Sequence, residues 1–408
     1  MARRPFVALL AFASVLAAVL VACGEGEDDP MAAPTRTRTL RPTATITATP
    51  SPVTRTPTPP PPPPPTATRP PAPSSNDQPP PSGSGPPKAS GISLPPGFTA
   101  FTIAEGFSRP TSVAVGPGGE LYVSQRHGPV HRLFDSTGDG VFERKTTLVS
   151  GLAELTGIAV AADGTVYVSS TGRVSTVRDT NGDGVGDSTR HIITGLPSGR
   201  HQNNGMAFGP DGKLYLTNGS TCDDCAEANQ LSATILQANR DGSGRRVFAR
   251  GLRNPYDLVF DSSGRLWATD NGSDTPCATI DELNLIRDGG DFGWPYRPAC
   301  DPYRDGTAPV ADLGLHTAST GIDVYDGGQF PARYRGNLFA TLWGSLFTTP
   351  RPYGPSLLRI VIESGPRGRV EVFGTGFANP IDTVVDRDGT LLVLDYGTGR
   401  LYRVVYTG

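Results

Sequence analysis

The sequence predicts an all-β protein, a six-bladed β-propeller of antiparallel four-stranded blades, preceded by a disordered Pro/Thr-rich tether. Three observations predict it. A turn with glycine followed by an alternating apolar strand recurs six times, and segments of helical period are nearly absent. Most of the prolines lie before residue 97, while glycines punctuate everything after it. Such a split separates an unfolded lead from a turn-rich folded domain.

The six copies are GPGGELYVSQ from Gly116, AADGTVYVSS from Ala161, GPDGKLYLTN from Gly209, DSSGRLWATD from Asp261, YRGNLFATLW from Tyr334 and DRDGTLLVLD from Asp386. A short apolar run precedes each, at 112–115, 157–160, 205–208, 257–260, 321–324 and 381–385. Asp-Gly between alternating runs marks a hairpin, because both residues tolerate the positive φ of the turn. Repeats of roughly 40 to 50 residues built this way are propeller blades. A two-sheet sandwich does not account for six copies. The segment FTAFTIAEGF near Phe98 precedes the first copy and is expected to supply the outer strand of the last blade. An insertion, DELNLIRDGGDFGWPYRPACDPYRDG, separates the fourth copy from the fifth.

Ahead of the repeats, Arg3 and Arg4 precede an apolar run at 6–22, the pattern of a signal peptide. The run is short for a membrane span. It ends Leu20-Val21-Ala22-Cys23, which resembles the bacterial lipoprotein signal, so residues 1–23 are expected to direct export and lipidation of Cys23. Arg3-Arg4-Pro5-Phe6 also partly matches a twin-arginine signal. Residues 24–96 carry Pro, Thr and Ser, including an unbroken proline run at 59–65. Proline fixes φ and removes a donor, so this stretch forms neither sheet nor helix. It extends at about 3.1 Å per residue as a semi-rigid tether to the cell envelope. The domain at 97–408 then faces the periplasm or the outside. A formal net charge of -3 gives no reason to expect nucleic acid.

Two segments between blades, DSTGDGVFE at 135–143 and DTNGDGVGD at 179–187, place oxygen side chains at their first, third, fifth and ninth positions and glycine at the sixth. A calcium loop wraps its ion with that spacing, which nominates Asp179, Asn181, Asp183 and Asp187 as ligands. Neither loop has the bidentate Glu of a complete EF-hand, and an Asp-rich turn satisfied by its own backbone is the alternative. With Cys23 lipidated, four cysteines remain in an exported chain, and an even count implies disulfides. Three connectivities exist, and the expected one is Cys222–Cys225 with Cys277–Cys300. A zinc site at Cys222 and Cys225 is the alternative.

Polar residues stand at matching places before two hairpins. His201 lies four residues ahead of Gly205, and Arg253 four ahead of Asp257. Equivalent positions in successive blades of a closed ring lie close in space, so His201, Arg253 and Asn254 are expected to converge. The stretches HQNNGMAFGPDGKLYLTNG, GLRNPYDLVF, LWATDNGSD and DELNLIRDGGDFGWPY resemble the soluble quinoprotein sugar dehydrogenases, the glucose and sorbosone dehydrogenase family with its aldose sugar dehydrogenases. The resemblance covers the whole predicted domain. It implies a six-bladed propeller using pyrroloquinoline quinone (PQQ) and Ca²⁺, a small-molecule sugar substrate and an external electron acceptor. It further implies that His201 takes the substrate hydroxyl proton while hydride passes to the quinone, and that Arg253 stabilises charge on the reactive carbonyls. Asn254 and Asn271 would contact the cofactor, and the backbone carbonyls of Gly272 and Ser273 would hold its calcium.

The chain departs from that pattern at Ser273, where a Pro is familiar, and at two cations. A lysine that holds a cofactor carboxylate in the family's fifth blade is absent from 339–344, FATLWG, and an arginine ahead of the last hairpin is replaced by Ala378-Asn379-Pro380. Arg109 and Arg126 are the available substitutes. Trp294 is expected in the core of the insertion and Trp343 near the channel mouth. Two other functions compete with the dehydrogenase: a binding propeller that has lost its cofactor, and a calcium-dependent hydrolase of the lactonase kind. The latter needs carboxylates around a central metal, where the positions ahead of the hairpins here offer His, Arg and Asn.

Overall fold

In a computed structural model, residues 85–274, 280–295, 306–344, 353–362 and 367–408 are described. Six four-stranded antiparallel sheets follow one another round a central channel. The first strand in the chain is β1 (Phe98–Glu105). Blade 1 then comprises β2 (Pro110–Val115), β3 (Leu121–Gln125), β4 (Val130–Phe134) and β5 (Arg144–Val149). Blade 2 is β6 (Leu155–Val160), β7 (Val166–Ser170), β8 (Arg173–Arg178) and β9 (Ser188–Thr194). Blade 3 is β10 (Asn203–Phe208), β11 (Leu214–Asn218), β12 (Thr234–Ala238) and β13 (Arg246–Arg250). Blade 4 is β14 (Pro255–Phe260), β15 (Leu266–Asp270), β16 (Ile280–Ile286) and β17 (Ala311–Leu315). Blade 5 is β18 (Ser319–Tyr325), β19 (Asn337–Leu342), β20 (Ser356–Val361) and β21 (Arg369–Thr375). Blade 6 is β22 (Pro380–Val385), β23 (Leu391–Asp395) and β24 (Arg400–Tyr406), completed by β1.

The six apolar runs are the innermost strands, and the six Gly-turn copies are the hairpins that leave them. The turn glycines Gly119, Gly164, Gly212, Gly264, Gly336 and Gly389 all have φ between 73° and 90°, where a side chain would be strained. Among the described residues the only helical segment is one 3₁₀ turn, Ala332–Tyr334. The core is divided among the blade boundaries. Ala114, Tyr122, Ile158 and Val168 fill the space between blades 1 and 2, and five further clusters fill the other boundaries, the largest around Phe98, Tyr325, Phe339 and Phe373 between blades 5 and 6. Each blade thus buries its apolar faces only against its neighbours, which is why a closed ring is required.

Two sequence expectations are corrected. The start of the insertion, read as lying outside the repeat, forms β16, the ordinary third strand of blade 4. The domain also begins earlier than residue 97. Thr102 donates to the Pro87 carbonyl at 3.0 Å, Ala89 to Ala100 at 2.8 Å, and Ser93 exchanges backbone hydrogen bonds with Thr375 at 2.9 and 3.0 Å. Ala89 is buried, with Ile92 and Leu94 packed on the same cluster. These few apolar side chains are enough to dock a segment whose composition is that of a linker. The rest of the predicted tether and the lipidation residue Cys23 lie outside the described residues.

Carboxylates on the inner strands stitch the blades together. Asp257 of β14 accepts the Ile322 amide of β18 at 3.2 Å, and Asp382 of β22 accepts the Val113 amide of β2 at 2.8 Å. Their other oxygens lie against the preceding blade, where a Cβ on Gly205 would sit 2.1 Å from Asp257 Oδ1 and one on Gly321 2.2 Å from Asp382 Oδ1. Burial raises the Asp382 carboxyl to about 6 and that of Asp323, which accepts the Val385 amide at 2.7 Å, to about 7.

Candidate functional site

A cavity of about 450 Å³ opens at one end of the channel, within the range of small-molecule sites. Its wall brings together His201, Arg253, Asn254, Asn271 and Gly272. The segments that lead into β10 and β14 put them there. Asp270, at the end of β15, accepts the amides of Arg253 at 3.1 Å and Asn254 at 2.7 Å. Ser220, just beyond β11, accepts the His201 amide at 3.1 Å and donates its own amide to the Arg253 carbonyl at 2.7 Å. Between them Gly219 is held so closely that a Cβ there would lie 2.6 Å from the His201 Cβ and 2.9 Å from Asn254 Oδ1.

Ser220 also fixes the tautomer of His201. The Ser220 hydroxyl donates to the Cys222 carbonyl at 2.6 Å, so its oxygen can only accept from the ring. His201 Nδ1 lies 3.0 Å from that oxygen and 3.2 Å from the Ser220 carbonyl. With two acceptors facing it, Nδ1 carries the hydrogen, and the lone pair is left on Nε2. Burial, then the charges of Arg253 and Arg200, lowers the imidazole to about 3. It is therefore a neutral base throughout the ordinary pH range.

Arg253 is buried, with 4% of its side chain exposed. Its Nε donates to the Asp223 carbonyl at 3.1 Å and one terminal nitrogen to the Asn271 carbonyl at 3.2 Å. The other terminal nitrogen meets the carboxylates of Asp223 and Asp274, the latter at 3.5 Å. Arg200 pairs with the same two carboxylates, and His316 Nδ1 lies 3.6 Å from Asp274. Arg200, Asp223, Asp274 and His316 were not singled out from the sequence. Only the adjacency of Arg200 to His201 hinted at any of them. Asp223 sits in the loop closed by the Cys222–Cys225 disulfide, and Glu227 clasps the base of that loop through the Thr221 amide at 2.8 Å and hydroxyl at 2.6 Å.

The rest of the wall suits a cation and a flat ligand. Asn271 donates to the carbonyls of Asn254 at 3.3 Å and Ser319 at 3.0 Å, while its buried Oδ1 has no hydrogen-bond partner. An orphaned amide oxygen, with Gly272 next in the chain and also on the cavity wall, is the kind of hard oxygen that takes Ca²⁺. Ser273 is buried next to them and is not part of the cavity wall. Asp281 holds this corner, accepting the Gly272 amide at 3.0 Å and the Thr317 hydroxyl at 2.8 Å. Trp343 and Tyr396 line the cavity with ring centroids 6.0 Å apart, whereas Trp294 is buried away from it. Of the two substitute cations, Arg126 lines the cavity and Arg109 does not. The residues present thus offer PQQ and Ca²⁺ a fit in size, in acceptor oxygens and in aromatic surface.

The acidic loops, expected between blades, lie within them, joining β4 to β5 and β8 to β9, and are closed by their own hydrogen bonds. Asp179 accepts the amides of Gly182 at 2.7 Å and Gly184 at 2.8 Å, and Arg132 pairs with it at 2.8 Å. Asp187 accepts the Thr180 amide at 2.6 Å, and the Asn181 amide side chain reaches Asp183 at 3.2 Å. Asp135 caps Gly138 and Gly140 in the same way, at 2.7 and 2.9 Å. Among the described residues, the one trio of His, Cys, Asp or Glu close enough to share a metal is Cys222, Cys225 and Glu227, and its sulfurs are spent on their disulfide. Among the described residues, the cavity that holds His201 and Arg253 is lined by two carboxylates, Asp274 and Asp281, and no carboxylate trio there is close enough to share a metal. Cys277 and Cys300 lie outside them.

Comparison with known proteins gives the following. A family model described as a domain of unknown function, DUF7133, matches residues 124–342, more than half of the 408. An uncharacterized protein of Borreliella burgdorferi is 29% identical over 199 residues, covering 43% of this chain and 52% of that protein. Quinoprotein glucose dehydrogenase B of Acinetobacter calcoaceticus is 29% identical over 137 residues, covering 26% of this chain and 28% of that protein. The chain therefore spans about half, or less, of the length of these curated relatives. Among solved structures, the PQQ-bound form of the aldose sugar dehydrogenase of Streptomyces coelicolor is 25% identical, with a TM-score of 0.61, covering 78% of this chain and 99% of that one.

Proposed function

The chain belongs to the DUF7133 family, and from that premise and the cavity just described we propose that it is an exported dehydrogenase. It would oxidise an aldose sugar or related hydroxy-carbonyl compound with PQQ and Ca²⁺ and pass the electrons to an external acceptor. One observation carries the reading: a histidine held as the Nδ1–H tautomer and stripped of its charge shares a cavity wall with a buried arginine. That pairing is what hydride removal from an alcohol requires of a protein, a base for the hydroxyl proton and fixed positive charge where negative charge develops. The names of the Acinetobacter and Streptomyces relatives support the same chemistry.

When bound, PQQ supplies the two-electron acceptor. His201 Nε2 takes the hydroxyl proton, and Ser220 keeps the ring oriented through Nδ1. Arg253, Asn254 and Asn271 would hold the cofactor, and the Gly272 carbonyl on the cavity wall would be the nearer of the two expected calcium ligands, since Ser273 lies off that wall. Trp343 and Tyr396 exclude water from one side. The test is to mix purified protein with PQQ and Ca²⁺, follow cofactor binding by absorbance, and measure dye reduction across a panel of aldoses. Saturable binding with sugar-dependent dye reduction is expected, and a chelator should abolish both. Binding without turnover on any sugar overturns the dehydrogenase. A binding propeller is the second reading, favoured by one observation: the charges of Arg200 and Arg253 are already matched by Asp223 and Asp274. Failure of PQQ to bind at micromolar concentration selects it.

The location proposed is the cell envelope, through a lipid on Cys23. Mass spectrometry of the mature N-terminus is expected to find an acylated Cys23, and an intact Met1 or cleavage elsewhere rules the anchor out.

A further inference from the structure

The loop between the two bonded cysteines reaches the site from off the cavity wall. Asp223 is not part of the cavity wall, yet its carboxylate meets the same Arg253 terminal nitrogen as Asp274, which is. It also lies 3.5 Å from Arg200 Nε and accepts the Asp274 amide at 3.2 Å. Most of these contacts do not position Arg253. The guanidinium keeps three other anchors: the Asp223 main-chain carbonyl at 3.1 Å, the Asn271 carbonyl at 3.2 Å and Asp274 at 3.5 Å. What the Asp223 side chain adds is charge. Two arginines face two carboxylates, so the basic wall of the cavity has no net charge of its own. We infer that Asp223 sets the affinity of this cavity for anionic ligands by neutralising Arg253, and that the Cys222–Cys225 loop holds it there.

The consequence for PQQ rests on the proposed function. PQQ is a tricarboxylate, and the chain lacks the lysine and the last-blade arginine that would offset it. With Asp223 in place, the attraction for the anion comes down to Arg126 and bound Ca²⁺, with the Asp281 carboxyl on the same wall acting against them. Removing one negative charge one side chain back from the wall, in a site partly shielded from water, strengthens anion binding by about ten-fold, and less so at high salt. The disulfide and the Glu227 clasp limit how far the loop can swing, so the counter-charge stays in place.

The test compares Asp223→Asn and Asp223→Glu with the unaltered protein, using two anions. PQQ, in excess Ca²⁺ at low ionic strength, reads the cofactor. Iodide quenching of tryptophan fluorescence reads the charge alone. Trp267 and Trp294 are 2% and 7% exposed, so iodide reports mainly on Trp343 in the cavity wall, with neutral acrylamide as the control for access. Asp223→Asn is expected to tighten PQQ binding about ten-fold and to raise iodide but not acrylamide quenching, with both differences shrinking in salt. Asp223→Glu, which keeps the charge, should stay near the unaltered protein. Cys222→Ser with Cys225→Ser should shift iodide quenching in the same direction as Asp223→Asn, and it replaces that variant if Asp223→Asn does not fold. Iodide quenching that is unchanged or weaker in the charge-removing variants overturns the inference, whatever PQQ does. If iodide responds but no protein binds PQQ, the charge role stands and the dehydrogenase reading falls.

Discussion

Replacing His201 with Ala is expected to lower dye-linked turnover by about 10² to 10⁴ while leaving PQQ binding largely intact, because the variant loses the base but keeps Arg253, Asn254 and Asn271. The pH profile of the unaltered protein gives a second reading of the same residue. An ordinary histidine base would lose activity below about 6.5. Here burial and two arginines lower the imidazole to about 3, so kcat/KM should stay flat well below 6.5 and turn down only near that lower value. Stability changes with the opposite emphasis. Between those two values the unfolded chain binds a proton at this residue and the folded protein does not. Stability therefore falls as the pH drops through that window, and His201→Ala should remove this part of the slope. An acid limb near 6.5 in kcat/KM would show that the ring is not held as the buried neutral tautomer.

Arg253→Ala is expected to fail differently, losing PQQ affinity, turnover and stability together. The arginine is almost fully buried between the carboxylates of Asp223 and Asp274, each about a quarter exposed. Removing it leaves two negative charges facing each other with only the half-exposed Arg200 between them. Breaking a buried pair from one side costs about 3 kcal/mol, measurable as a lower denaturation midpoint in urea. Arg253→Lys should recover part of the stability and less of the binding. An ammonium restores the charge but cannot reach a carbonyl, a second carbonyl and two carboxylates from one planar fork. If Arg253→Ala keeps its stability and loses only turnover, the carboxylate pair is not held as described.

The ring was legible because its signal is periodic. Each hairpin repeats an apolar alternation and a glycine whose φ the turn demands, and six such signals reinforce one another. The axis of the site was legible for the same reason, since His201 and Arg253 stand at one offset from neighbouring inner strands. What was not legible comes from segments with no period. Asp223, Asp274 and His316 lie in connections between strands, and nothing in their spacing tells which neighbour they will face. Ser220 gave no signal at all, because its role depends on where its hydroxyl hydrogen goes. The strand β16 was taken for insertion because no Asp-Gly turn introduces it. Residues 87–94 were taken for tether because composition averages over the few apolar side chains that dock them.

The closing of blade 6 has a consequence for how the molecule comes to exist. Phe98 of β1 pairs with Tyr406 of β24, so the earliest strand of the propeller waits for the latest. A chain emerging from the ribosome holds this edge of β1 unpaired until β24 has been made. Blades 1 to 5 can each form from contiguous chain, but the large aromatic cluster around Phe98 cannot assemble until the two ends meet. Long-range pairing of this kind is slow, and an unpaired apolar strand invites association with other chains meanwhile. Damage to the final strand should therefore act on yield and aggregation through the whole ring, far from the cavity and before any ligand is encountered.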